Sequence, residues 1–169
     1  SYGPEMRGGT ANCTVVIADE EIGSPLVQNP QGVLVMNLPS LDKYETEVKP
    51  GGVLVVNASM VDREVSRKDI NWVSLPCNEM AEEIGDKKLA TIVATGALLE
   101  LLGALKLEDV ETALKNHMPA RHQRCLPLNV EAVVATNAIA HSFTGNALDN
   151  FLLGNAGADT LNGGAGNDT

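Results

Sequence analysis

Arg7 sits between Met6 and Gly8, in a loop that reads Tyr2-Gly3-Pro4-Glu5-Met6-Arg7-Gly8-Gly9. A guanidinium flanked by glycine can approach a phosphate or carboxylate closely and grip it through two parallel hydrogen bonds. The same cation can close an interface salt bridge. Glu5 is placed to orient it, and Tyr2 and Pro4 shape the loop. Further along, two apolar runs each end in Asn and then reach Ser: Asn37-Leu-Pro-Ser40 and Asn57-Ala-Ser59. In open α/β sheets, ligands settle just beyond the carboxyl ends of strands. Asn37, Ser40 and Asn57 would donate and accept hydrogen bonds there without carrying charge. Capping of helices and turns is the other use of these residue types. Both uses stay open at the level of sequence.

A catalytic constellation is not visible. His117, His122 and His141 lie outside any G-x-S-x-G or H-E-x-x-H context. There is no complete P-loop or dinucleotide fingerprint, and no thiamine-diphosphate signature of the G-D-G…N kind. Cys13, Cys77 and Cys125 are scattered, with no C-x-x-C spacing. An iron–sulfur cluster needs several clustered thiolates, so these are expected to be structural thiols. No catalytic residue and no resident cofactor are therefore expected of this chain alone.

Composition narrows the class. The chain has 169 residues, 44% hydrophobic but only 3% aromatic, so its core must be built from Val, Leu, Ile and Ala. That suits a mixed, largely parallel sheet covered by helices. The formal net charge of -10 excludes the basic footprint of a nucleic-acid binder. The longest uncharged apolar run, Leu89 to Leu99, is too short to span a bilayer, and no membrane partner is expected. Cysteines without a disulfide framework point to a reducing, cytoplasmic setting.

The elements that would position these residues follow from periodicity and punctuation. Strands are expected over Asn12–Ala18, with a short return at Ser24–Val27, and then over Gly32–Asn37, Gly52–Asn57 and Asn71–Leu75. Helices are expected over Pro39–Glu47, Asn78–Ile84, Lys88–Leu102, Leu107–His117 and Asn129–Ala140. Gly85 is placed to end the second and Pro119 to stop the fourth. The Lys88–Leu102 helix is apolar on nearly every face, which fits a large core or an interface. In it, Gly96 and Gly103 allow close helix approach or a loose end. In the amphipathic helix, Leu107, Val110, Ala113 and Leu114 share one side. The expected fold is a three-layer α/β/α domain over residues 1–142, followed by a tail over 143–169.

The tail is a different kind of polymer. It has no Lys or Arg, six Gly, five Asn and three Asp. From Gly145 it repeats every nine residues. The first unit, Gly145–Leu153, is degenerate; Gly154-Asn-Ala-Gly-Ala-Asp-Thr-Leu-Asn162 is nearly ideal; Gly163–Thr169 stops two short. This resembles the RTX nonapeptide G-G-x-G-x-D-x-U-x, which implies a β-roll with Asp159 and Asp168 as candidate calcium ligands. Leu152 and Leu161 would form its apolar stripe. Fewer than three repeats is marginal for such a coil, and a disordered Gly/Asn-rich tail is the alternative.

The head carries a second resemblance. The run SYGPEMRGGTANCTVVIADEEIGSP resembles the gamma subunit of the 2-oxoacid:ferredoxin oxidoreductases, which act on pyruvate, 2-oxoisovalerate or 2-oxoglutarate. Further matching pieces are Leu34–Lys43, Val48–Asn57, Ala90–Leu105 and Leu126–Glu131. The family's preceding strand and G-x-G-G-Q-G turn are absent, so the chain reads as N-terminally truncated. The resemblance implies thiamine-diphosphate-dependent decarboxylation of a 2-oxoacid, with electrons passing to ferredoxin and the acyl group to coenzyme A. It implies alpha, beta and ferredoxin-like delta subunits as partners, which carry the thiamine diphosphate and iron–sulfur clusters. The loop Tyr2–Gly9, with Asn37, Ser40 and Asn57, would contact substrate or coenzyme A, or line a subunit interface. RTX repeats belong to secreted proteins, whereas such a head belongs to the cytoplasm. The chain therefore reads as a fusion, natural or artificial. The alternative is an extracellular calcium-binding module whose α/β head serves recognition.

Overall fold

Val53, Leu54, Val55, Val56 and Asn57 are all buried, the mark of a strand covered on both faces. They form β2 (Val53–Asn57), the middle of a three-stranded sheet between β1 (Gly32–Val35) and β3 (Asn71–Leu75). Every pairing in that sheet is parallel, with Gly32 opposite Val53 and Val53 opposite Asn71. The computed structural model describes residues 11–23, 26–103, 105–138, 142–144 and 160–162. The loop residues Tyr2, Gly3, Pro4, Glu5, Arg7, Gly8 and Gly9 lie outside the described residues, as do Asp159 and Asp168.

Side chains leave the sheet alternately to two cores. On one face Val55, Val73 and Leu75 meet α2 (Cys77–Ile84), α3 (Ala90–Leu102) and α5 (Leu126–Val134) through Met80, Ala81, Val93, Ala94, Ala97 and Ala132. On the other, Val35, Leu54 and Val56 meet Leu41 of α1 (Leu38–Tyr44), together with Val48, Val61 and Ile70. Helices on both faces of a parallel sheet give the three-layer α/β/α architecture that the composition implies.

Helix ends obey local chemistry. Asn37 caps α1, its Oδ1 accepting from the Ser40 amide at 3.0 Å, and Pro39 fits the first turn. Gly85 and Gly103 close α2 and α3 in left-handed conformation, with φ of 119° and 59°. α4 (Leu107–His117) packs on α5. Val110 and Leu114 are half-buried in it, but Ala113 is exposed: the covered stripe follows a spacing of four residues toward Met118.

Three expectations need correction. Asn12–Ala18 forms no strand, and its Val15 and Ile17 are 76% and 84% exposed. An apolar run becomes a strand only when a neighbour takes its hydrogen bonds, and no described strand lies beside it. Leu26 and Val27 form no strand either. The last helix starts at Leu126 rather than Asn129 because Pro127 fits its first turn, and it tightens to a 3-10 turn over Ala135–Ala138. In the tail, β4 (Ser142–Thr144) and β5 (Thr160–Asn162) form a parallel pair.

Candidate functional site

The carboxyl ends of the three parallel strands come level at Val35, Asn57 and Leu75. Beyond them lie the Asn37 cap, the Asn57–Ser59 turn and the first turn of α2. Asn57 is 1% exposed. Its Oδ1 accepts from the amides of Ser59 and Cys77, both at 3.2 Å, and its Nδ2 donates to Asn78 Oδ1 at 3.1 Å. One side chain thus ties the end of β2 to the start of α2, whose first amides have no partner within the helix. Ser59 extends the tie: its Oγ accepts from the Asn78 amide at 3.0 Å and donates to the Glu79 carboxylate. That hydrogen bond holds the Glu79 carboxyl below its ordinary range. Glu79 also stands in the first turn of α2, where the helix dipole favours an anion.

Cys77 opens α2 with its side chain fully buried. Burial pushes its thiol up from 9.0 to about 11, so it stays protonated at neutral pH and is no nucleophile. The rim is therefore a set of neutral hydrogen-bonding groups with one carboxylate, Glu79. Such a surface can position a ligand or a partner, and among its described residues no group is poised to move a proton. Asn37 is exposed on this rim and Ser40 half-exposed. Among the described residues, no three His, Cys, Asp or Glu side chains converge as a metal or cluster site. The described rim does not fit an iron–sulfur cluster.

A second polar cluster was not legible in the sequence. Glu45 is 5% exposed, just past α1. Its Oε1 accepts from the amides of Ser66 and Arg67, and its Oε2 pairs with Arg63 at 2.9 Å. Arg67 donates to the Glu45 carbonyl at 3.1 Å and pairs with Asp69, while Arg63 also pairs with Asp42 at 2.7 Å. The hydrogen bond from Arg67 holds the Asp69 carboxyl below its usual range, and the Asp42 and Glu45 partners raise Arg63 above its own. This clamp pins the irregular 58–70 connection against the end of α1 and the Val48–Gly52 turn, where β2 begins, away from the rim at the carboxyl ends of the strands. Glu45 and its arginines are about twenty residues apart, a spacing with no periodic signal.

Residues 1–138 match the family model described as pyruvate ferredoxin/flavodoxin oxidoreductase. The chain belongs to this family. Residues 144–169 match the RTX calcium-binding nonapeptide repeat. The 2-oxoglutarate synthase subunit KorC of Methanothermobacter marburgensis is 38% identical over 125 residues, covering 70% of this chain and 67% of KorC. The ketoisovalerate oxidoreductase subunit VorA of the same organism is 35% identical over 101 residues, 60% of this chain but 21% of VorA. Among solved structures, the gamma subunit of a keto/oxoacid ferredoxin oxidoreductase from Geobacter sulfurreducens PCA superposes with a TM-score of 0.54 at 27% identity, covering 61% of this chain and 59% of that one. The 2-oxoglutarate:ferredoxin oxidoreductase of Magnetococcus marinus shares the fold, with a TM-score of 0.51 at 14% identity over 75% of this chain and 28% of that one. The chain thus spans about two thirds of KorC and about a fifth of VorA.

Proposed function

We propose that this chain serves as the gamma component of a 2-oxoacid:ferredoxin oxidoreductase and supplies no catalytic group of its own. The observation that carries the reading is the match over residues 1–138, together with a strand-end rim of neutral hydrogen-bonding groups and a single carboxylate, Glu79. The assembly would take a 2-oxoacid, coenzyme A and oxidised ferredoxin to an acyl-coenzyme A, carbon dioxide and reduced ferredoxin. Thiamine diphosphate in the partner subunits supplies the electron sink that lets the carboxylate leave. Relatives named for 2-oxoglutarate and for ketoisovalerate support the substrate class without choosing within it. The loop Tyr2–Gly9 with Arg7, and Asn37 and Ser40 on the rim, would face coenzyme A or the neighbouring subunit. The alpha, beta and ferredoxin-like delta subunits would surround it, in the cytoplasm.

The test is reconstitution. A tagged chain co-expressed with the cognate alpha, beta and delta subunits is expected to copurify with them and to support 2-oxoacid-dependent reduction of ferredoxin. Omitting the chain is expected to lower that rate at least about tenfold, a loss of roughly 1.4 kcal/mol in transition-state stabilisation. Full activity without the chain, or oxidation of a 2-oxoacid by the chain alone, would overturn the proposal.

A further inference from the structure

In a chain with 22 Asp and Glu against 12 Lys and Arg, one stretch reverses the balance. Between Glu111 and Glu131 there is no carboxylate side chain, while Lys115, Arg121 and Arg124 are cations and His117 and His122 stand among them. The stretch takes in the last turns of α4 and the 3-10 turn Ala120–Cys125 that follows. All five side chains are exposed. Among the described residues Lys115 pairs with Glu111 at 2.6 Å, whereas neither arginine pairs with a carboxylate. Arg121 Nε donates to His122 Nε2 at 3.1 Å. Gln123 fastens the turn to the helix, its Nε2 donating to the carbonyls of Met118 at 2.8 Å and Lys115 at 3.3 Å. The arginines are thereby held at the carboxyl end of α4.

The other half of α4 is acidic. Asp109 and Glu111 lie there, after Lys106 at the N-cap. Asp109 is exposed and Glu111 half-exposed. Between the two ends the outer face carries Ala113 and Asn116, both exposed and both uncharged. Val110, Leu114 and Met118 are half-buried on the side that rests on α5. Acid at the start of a helix and base at its end suit its dipole, but that effect fades within the last turn. Arg121 and Arg124 lie beyond that turn, so the dipole does not account for them.

A strip that runs from negative to positive is complementary to itself when one copy is turned end for end. In a two-fold contact each copy uses the same patch, so an acidic end meets a basic end twice. We propose that two copies of this chain dock through the outer face of α4, antiparallel about a two-fold axis beside Ala113, the acidic end of each on the basic end of the other. The occupant is a second copy because both halves of the charge pattern lie on this one surface. The small side chain of Ala113 at its centre lets the two helices approach closely. The 11 residues of α4 give about 16 Å of helix. The contact thus falls at the small end of specific interfaces, and the dimer is weak and reversible. The inference stands on the placement of charge along α4 and is independent of the oxidoreductase reading.

The test is a charge swap followed by sedimentation of the full chain, up to about 1 mM protein. The native chain is expected to show a monomer–dimer equilibrium. Arg121→Glu with Arg124→Glu makes both ends of the strip acidic; Asp109→Lys with Glu111→Lys makes both ends basic. Each variant alone is expected to dimerise at least about tenfold more weakly than the native chain. An equimolar mixture of the two is expected to dimerise at least as tightly as the native chain, because an acidic strip then meets a basic one. Arg121→Gln with Arg124→Gln lies outside α4, removes charge without reversing it, and should weaken the dimer by an intermediate factor at an unchanged urea midpoint. Lys49→Glu with Lys68→Glu changes the net charge equally at two exposed positions elsewhere and should leave the dimer as it is. A native chain that stays monomeric would overturn the proposal. So would arginine variants that dimerise undiminished, a lysine control that weakens the dimer as much, or a mixture of folded variants no tighter than either alone.

Discussion

Cys77 is sealed in the core at the first position of α2, and burial lifts its thiol from 9.0 to about 11. Between those values the folded chain keeps a proton that the unfolded chain has released. The unfolded state then binds fewer protons, so stability falls as pH rises through this window. The urea midpoint of the native chain is expected to fall more steeply between about pH 9 and pH 11 than that of Cys77→Ala, the difference tracking the thiol alone. Parallel curves for the two proteins would show that the thiol is not held protonated by the fold. The same residue shows where sequence reading stops. Asn57 was visible as a strand-end Asn, but its partners Cys77 and Asn78 lie twenty residues on and are joined to it only by tertiary structure. Glu45 lies within the expected Pro39–Glu47 helix with nothing in the sequence to single it out, and only the fold shows that it is buried beside Arg63.

At the scale of elements, α3 and α5 cross at a glycine. A Cβ on Gly96 would stand 2.1 Å from the carbonyl oxygen of Val133 and 2.9 Å from its carbonyl carbon. An alanine in the middle of a helix ordinarily gains about 1 kcal/mol over glycine. Here it must push one backbone off another, and overpacking of that kind costs roughly 1–3 kcal/mol or more. Gly96→Ala is therefore expected to lower the melting temperature, whereas Thr95→Ala, one position along on a half-exposed face, should barely move it. A stabilised Gly96→Ala would mean that the two helices are not in contact there. The apolar runs of β1, β2 and β3 and the glycine stop of α2 are legible because burial on both faces and a left-handed cap leave marks in composition, whereas Gly103 reads equally as a close-approach or loose-end glycine and only the fold shows it closing α3. The run at Asn12–Ala18 misled for a related reason. Its residues have the preference of a strand, but preference does not supply a partner, and the segment has no regular structure and is mostly exposed. α5 starts three residues before the expected Asn129, at Leu126, because Pro127 has the fixed φ of a helix first turn.

For the whole molecule, that exposed segment is the feature most in need of a purpose. Val15, Ile17 and Leu26 are 76%, 84% and 86% exposed, and Ile22 is 47% exposed, all within one stretch that precedes β1. Several exposed large apolar side chains in one stretch are the kind of surface that a partner covers. Burying a Val or Ile side chain stabilises an interface by about 1.5–3 kcal/mol. A subunit of a larger oxidoreductase would cover the segment with its neighbours, and the isolated chain would tend to self-associate through it. Val15→Asp combined with Ile17→Asp removes no packing from either core. The doubly substituted chain is thus expected to keep the native urea midpoint and to become more monomeric in sedimentation. Its retention by the alpha, beta and delta subunits in a pull-down should fall more than about tenfold, equivalent to about 1.4 kcal/mol. A lowered urea midpoint would instead place the segment within the fold of the head, and undiminished retention would place the subunit contact elsewhere on the chain.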